Sequence, residues 1–188
     1  MHFTAIFLIA RIITPIYIIW MLTISTIVFA KAPTDGDMAK FTEQIPPKPA
    51  PNTPFISPDG KIINLHDLKG TWVLLNFWAT WCAPCIRELP SIYELQKNTI
   101  NNKFKILLVS IDKLGRKTYE PFLRNLNLHD LESASDPKLK LMRSLKLTGI
   151  PTTLLLDPNG RIVGKLIGDA SWSSRSAKKL IDYYTNPQ

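Results

Sequence analysis

Cysteine is nearly absent from this 188-residue chain: it occurs twice, as Cys82 and Cys85. So small a supply excludes a disulfide-stapled scaffold, because a bridge closing so short a loop constrains the unfolded chain very little. Histidine is also rare, at positions 2, 66 and 129 only. Without a second cysteine or histidine pair nearby, the four ligands of a structural zinc site are missing, and His2, His66 and His129 read as ordinary surface or partly packed residues. A dense basic run is lacking as well. The formal net charge is +8, but 23 lysines and arginines are interspersed with 15 acids. This is the pattern of a mixed, solvated surface, and with no helix-turn-helix or base-stacking motif beside it no nucleic-acid partner is expected. No internal repeat is visible.

What is present is the composition of an ordinary folded protein, 45% hydrophobic and 20% charged, long enough for one domain and an appendage. The appendage comes first. From Ile12 to Ala30 run 19 residues without a charge, a helix of about 28 Å if continuous, which suits a single bilayer crossing. Arg11 and the chain's amino group precede it, so the remainder is expected outside the cytoplasm. Val28-Phe29-Ala30 also suits a signal-peptidase site, so residues 1–30 read as a retained anchor or as a signal segment cut near Ala30. Residues 31–53 hold Pro33, Pro46, Pro47, Pro49 and Pro51 with no apolar period, and Pro54 follows. A stretch of this kind is expected to be an extended, semi-rigid tether.

Residues 54–186 carry the pattern of an α/β domain. Ser57-Pro58-Asp59-Gly60 reads as a turn between short strands near Phe55 and Ile62-Ile63. Trp72–Trp78, Lys105–Ile111 and Thr152–Leu156 are apolar runs of strand length, the kind buried on both faces. Helical spacing marks the segment after Cys82, with Pro90 as a kink, then 117–126, 137–145 and 173–184. Asp157-Pro158-Asn159-Gly160 turns the chain into a last strand over 161–167. Strands joined by helices, closed by a hairpin, predict a mixed central sheet flanked by helices.

The two cysteines fall where a strand passes into a helix. At a helix N-terminus, unpaired N–H groups and the macrodipole favour an anion, so Cys82 is expected to be the nucleophilic thiolate. Cys85, within the first turn, is placed to resolve a mixed disulfide. Together with Arg87-Glu88-Leu89-Pro90 and Gly149-Ile150-Pro151-Thr152, the stretch Asn76-Phe77-Trp78-Ala79-Thr80-Trp81-Cys82-Ala83-Pro84-Cys85 resembles the TlpA-like and ResA-like branch of the thioredoxin superfamily. The likeness spans about Pro54 to Tyr184. It implies a thioredoxin-like fold, a cis Ile150–Pro151 bond beside the cysteines, and an Ile150 backbone that pairs with an extended client segment. It also implies that Glu88 is a buried carboxyl exchanging protons with the cysteine pair. Asn76 departs from cytoplasmic thioredoxins, which carry aspartate at the matching place, and this directs attention to Glu88. Trp81 is expected to shield Cys82 and to meet the client.

The activity expected is extracytoplasmic thiol-disulfide exchange with no cofactor and no metal, in the direction of protein-disulfide reduction. The resemblance implies clients with cysteine pairs, an apocytochrome c or a cytochrome oxidase subunit, and a location on the periplasmic side of the inner membrane. A membrane protein supplying thiol reductant is the implied second partner, because an oxidising compartment does not replenish thiols. Spacing alone does not fix direction, so an oxidase or isomerase would use the same sulfurs. A Cu(I) carrier binding through the pair is the rival from another class, with no nearby Met or His ligand to support it. A peroxiredoxin-type peroxidase fits less well, since its cysteines would be widely separated, and a non-redox interaction module remains.

Overall fold

The computed structural model describes residues 31–98 and 103–186. The expected membrane or signal helix, residues 1–30, lies outside the described residues; among those described, no helix is long and apolar enough to cross a membrane.

The strands predicted from apolar runs form the middle of an eight-stranded mixed sheet. In chain order the strands are β1 (Phe41–Pro49), β2 (Phe55–Ile56), β3 (Ile62–Ile63), β4 (Trp72–Trp78), β5 (Phe104–Ser110), β6 (Ser133–Ser135), β7 (Thr152–Leu156) and β8 (Arg161–Ile167). Across the sheet they run β1-β8-β7-β4-β5-β6-β2-β3. The β4–β5 and β5–β6 pairs are parallel, and β7 lies antiparallel to β4. From Val73 to Trp78 every residue of β4 is buried, which is why its sequence reads as continuous rather than alternating. Among the described residues, four α-helices flank the sheet: α1 (Ala83–Asn98), α2 (Arg116–Asn125), α3 (Lys140–Ser144) and α4 (Arg175–Thr185). On β4, Trp72 packs against Tyr184 of α4 and Trp78 against Tyr119 and Phe122 of α2.

The stretch 31–53, expected as an extended, semi-rigid tether, holds a short 3-10 turn at Gly36–Met38 and then a strand of the sheet. From Phe41 to Pro49 it is the edge strand β1, antiparallel to β8, with Phe41 opposite Leu166 and Pro49 opposite Arg161. An edge strand is where proline is tolerated in a sheet, because only one side of the strand must donate to a neighbour. The register slips between Glu43 and Lys48, so the proline-rich middle bulges outward and leaves Ile45 exposed. Phe41 fastens the strand: its ring covers Gly164, where any β-carbon would collide with it. At the end of α4, Tyr184 donates to Glu43 at 3.0 Å.

Helix α3 is shorter than its periodicity predicts. Leu139 adopts a left-handed conformation, φ 55°, and Asp136 accepts from the Lys140 and Met142 N–H groups, which delays the start of the helix past Pro137. Strand β6 is not predicted by the sequence, since three residues of Ser-Ala-Ser carry no apolar signal.

Candidate active site

Strand β4 ends at Trp78, and the chain then makes one tight turn, with the Cys82 N–H donating to the Ala79 carbonyl at 3.1 Å. Helix α1 begins at Ala83. Cys82 therefore occupies the cap of a 16-residue helix: its carbonyl accepts the first helical bond from Ile86 at 3.0 Å, and its sulfur accepts from the Cys85 N–H at 3.3 Å. The Cys85 N–H is one of the donors that a helix leaves unpaired at its start, the kind of group that stabilises a thiolate. Cys82 and Cys85 are joined as a disulfide. Cys82 retains 5% of its surface and Cys85 none, so of the pair only Cys82 reaches the surface.

The turn before Cys82 is held by a carboxylate that the sequence does not single out. Asp112, buried just beyond β5, accepts from the Thr80 hydroxyl at 2.8 Å, from the Thr80 N–H at 3.1 Å and from the Ser110 hydroxyl at 2.8 Å. No pattern in the sequence marks it. Its role depends on the parallel pairing of β4 with β5, which puts Trp78 opposite Ser110.

Ile150 and Pro151 come to the same end of the sheet. Thr152, first residue of β7, pairs with Phe77 of β4, and the Gly168 N–H donates to the Pro151 carbonyl at 2.9 Å. The Ile150–Pro151 bond is cis. Pro151 is buried and Ile150 half-buried, at the point where sheet pairing stops. Trp81 is 67% exposed, so its indole projects into solvent beside Cys82 rather than folding down as a shield. Trp78 belongs to the core, its Nε1 donating to Ser133 at 3.0 Å.

Glu88 stands one helical turn beyond Cys85 and is 2% exposed. Three donors converge on its carboxylate: Asn76 Nδ2 at 2.7 Å on Oε1, and the Ala170 N–H at 3.2 Å and Trp172 Nε1 at 3.3 Å on Oε2. None of the three is a cation. Burial pushes its pKa from the ordinary 4.5 up to about 7, against the opposing pull of these hydrogen bonds. A group poised there can take and release a proton near neutrality. Among the described residues, no cluster of three or more His, Cys, Asp or Glu side chains is arranged to hold a metal ion.

Residues 46–165 match the AhpC/TSA family. The chain belongs to that family. Within it, the chain is 38% identical over 125 residues to the thiol-disulfide oxidoreductase ResA of a Bacillus cereus strain, covering 65% of this chain and 69% of that one. It is 30% identical to ResA of Bacillus subtilis strain 168 over 119 residues, 63% of this chain and 65% of its relative. The crystal structure of StoA from Bacillus subtilis superposes with a TM-score of 0.58 at 26% identity, covering 69% of this chain and 98% of that one. This AhpC/TSA member is accordingly a thiol-disulfide oxidoreductase of the ResA type on a thioredoxin-like fold. The family match begins at residue 46, inside β1, eight positions before the span of the resemblance read from the sequence.

Proposed function

We propose that the chain reduces disulfides in exported proteins through Cys82 and Cys85, acting on the extracytoplasmic side of a membrane to which residues 1–30 hold or deliver it. The observation that carries this reading is the pairing of one slightly exposed sulfur at a helix cap with one wholly buried sulfur behind it. The Cys82 thiolate attacks a client disulfide, forming a mixed disulfide and releasing one client thiolate. Cys85 then gives its proton to the Glu88 carboxylate and attacks the Cys82 sulfur. The second client sulfur leaves, two electrons have passed to the client, and the enzyme is left with the bridge seen in the structure. Trp81, Ile150 and Pro151 supply the surface that an extended client segment meets, Ile150 by offering backbone next to a strand end.

A reductase returns to its dithiol form only with a supply of electrons, which in an oxidising compartment is expected to come from a membrane protein passing thiol equivalents outward. The likeness to ResA favours clients in cytochrome c or cytochrome oxidase maturation. Trapping tests the reading directly. A Cys85→Ser chain lacks the resolving thiol and is expected to accumulate a covalent adduct through Cys82 with a cysteine-pair protein outside the cytoplasm. If Cys85→Ser yields no adduct while Cys82 stays reactive toward small disulfides, the client assignment fails.

A further inference from the structure

The cage around Glu88 is built for only one of the carboxyl's two protonation states. Every group hydrogen-bonded to it donates: the Asn76 amide, the Ala170 N–H and the Trp172 indole. A protonated Glu88 would present its own O–H and find no acceptor among them. Meanwhile Asn76, itself fully buried, spends both amide protons, one on Glu88 and one on the Thr153 hydroxyl oxygen at 2.9 Å, and its Oδ1 has no partner. A buried carbonyl oxygen left without a hydrogen bond is unfavourable, since it loses its water and gains nothing in return.

The orphan oxygen and the missing acceptor are on the same amide. A half-turn about the terminal torsion of Asn76 exchanges Oδ1 and Nδ2 with almost no change in shape, and such sp² torsions are broad and two-fold. After the turn, Oδ1 accepts from the Glu88 O–H and from the Thr153 hydroxyl, which can rotate to point its proton at the amide oxygen. The indole and the Ala170 N–H keep their bonds to Oε2, while the Asn76 NH2 moves to the unpartnered position that Oδ1 held, so the turn is favoured only when Glu88 carries a proton that needs an acceptor. We infer that Asn76 is a positioning residue that reverses its amide when Glu88 gains a proton, so that donor and acceptor exchange places across the Asn76–Glu88 contact. This rests on the reading that Glu88 carries the proton of the cysteine pair. It adds the device that lets a carboxyl surrounded by donors hold that proton.

The charged and titratable groups around the cage are few. On α1 and its cap lie Arg87 and the cysteine pair. From the loop before α4 comes Asp169, whose like charge adds to the upward push on Glu88, and which is paired with Arg87 at 3.0 Å and attracted by Lys40. Strands β4 and β7 contribute Asn76 and Thr153, neither of which titrates. A change in the Asn76 amide across neutral pH would therefore report Glu88.

The test follows the Asn76 side-chain amide by NMR in the oxidised, 15N-labelled full chain from pH 5 to pH 9. Cross-peaks between the Asn76 amide protons and the Thr153 side chain are expected to be strong above the Glu88 midpoint and to weaken severalfold below it. In Glu88→Gln, whose own amide donates permanently, Asn76 is expected to keep the low-pH arrangement at every pH. Cross-peaks of constant strength while the Glu88 carboxyl titrates would overturn the proposal, as would Glu88→Gln holding Asn76 in the high-pH arrangement. Neither readout depends on client reduction, so failure of the disulfide-reductase reading leaves this result separately interpretable. In Asn76→Asp, two carboxyls sharing the contact should titrate as a coupled pair, with the upper midpoint raised by more than about 1 pH unit. An unmoved midpoint there would count against Asn76 as the partner of Glu88.

Discussion

The Thr80 hydroxyl lies 2.8 Å from the buried carboxylate of Asp112, joining the turn before Cys82 to the end of the neighbouring parallel strand. Asp112 also receives the Thr80 N–H and the Ser110 hydroxyl, and removing it takes the acceptor from all three donors. Asp112→Ala is expected to lose about 2 to 4 kcal/mol in a urea titration, with Thr80→Val losing about 1 kcal/mol. A loss below about 0.5 kcal/mol for Asp112→Ala would show that water replaces the carboxylate and that the turn stands without it.

Glu88 makes stability depend on pH in an unusual direction. Because its folded pKa, about 7, lies above the ordinary 4.5, the folded state binds more protons between those values, and stability falls as pH rises through that window. The fall amounts to about 3 kcal/mol at pH 8 relative to pH 4, before other groups are added. Glu88→Gln removes this contribution. Denaturant titrations of the oxidised chain at several pH values should show a flatter profile for Glu88→Gln, its advantage over the natural chain growing between pH 5 and pH 7. Parallel profiles would mean that Glu88 titrates as an ordinary carboxyl.

Docking of β1 depends on Phe41 lying over Gly164. Gly164→Ala forces the ring away and is expected to destabilise by about 1 to 3 kcal/mol. Combined with Phe41→Ala, the added methyl group has room, so the double variant should cost less than the sum of the single ones, a non-additivity that a double-mutant cycle measures. Strict additivity would place the ring elsewhere.

Trp81 has most of its surface in water and little packing to lose. Trp81→Ala is expected to leave the melting temperature within about 1 to 2 °C of the natural chain, since surface changes rarely exceed about 0.5 kcal/mol. Its kcat/KM toward a protein disulfide should fall about tenfold, with little change toward a small disulfide. Equal losses on both substrates would mean that Trp81 acts on Cys82 and not on the client.

Much of the fold could be read in advance because its central strands are buried on both faces and announce themselves as unbroken apolar runs. Trp72–Trp78 and Thr152–Leu156 end where the sequence predicts. The first strand could not be read this way: an edge position with a bulge tolerates prolines, and Phe41 alone points to burial. In the site, the cysteines follow from the strand-to-helix junction, whereas burial of Glu88 came from resemblance to a family. Asp112, Thr153 and Trp172 were not legible, because each owes its place to a partner 32, 77 or 84 positions away. Contacts of that range depend on strand pairing and loop return, which local periodicity does not encode.

Cys82 is nearly flush with the protein surface, and this sets a condition on what the enzyme can touch. In-line displacement at sulfur requires the partner bridge to descend onto that small opening, so the bridge must sit on a protruding or loosely held strand of chain. On the proposed reading, compact proteins with recessed bridges would be spared, and discrimination would rest on how folded a client is before any of its side chains is read.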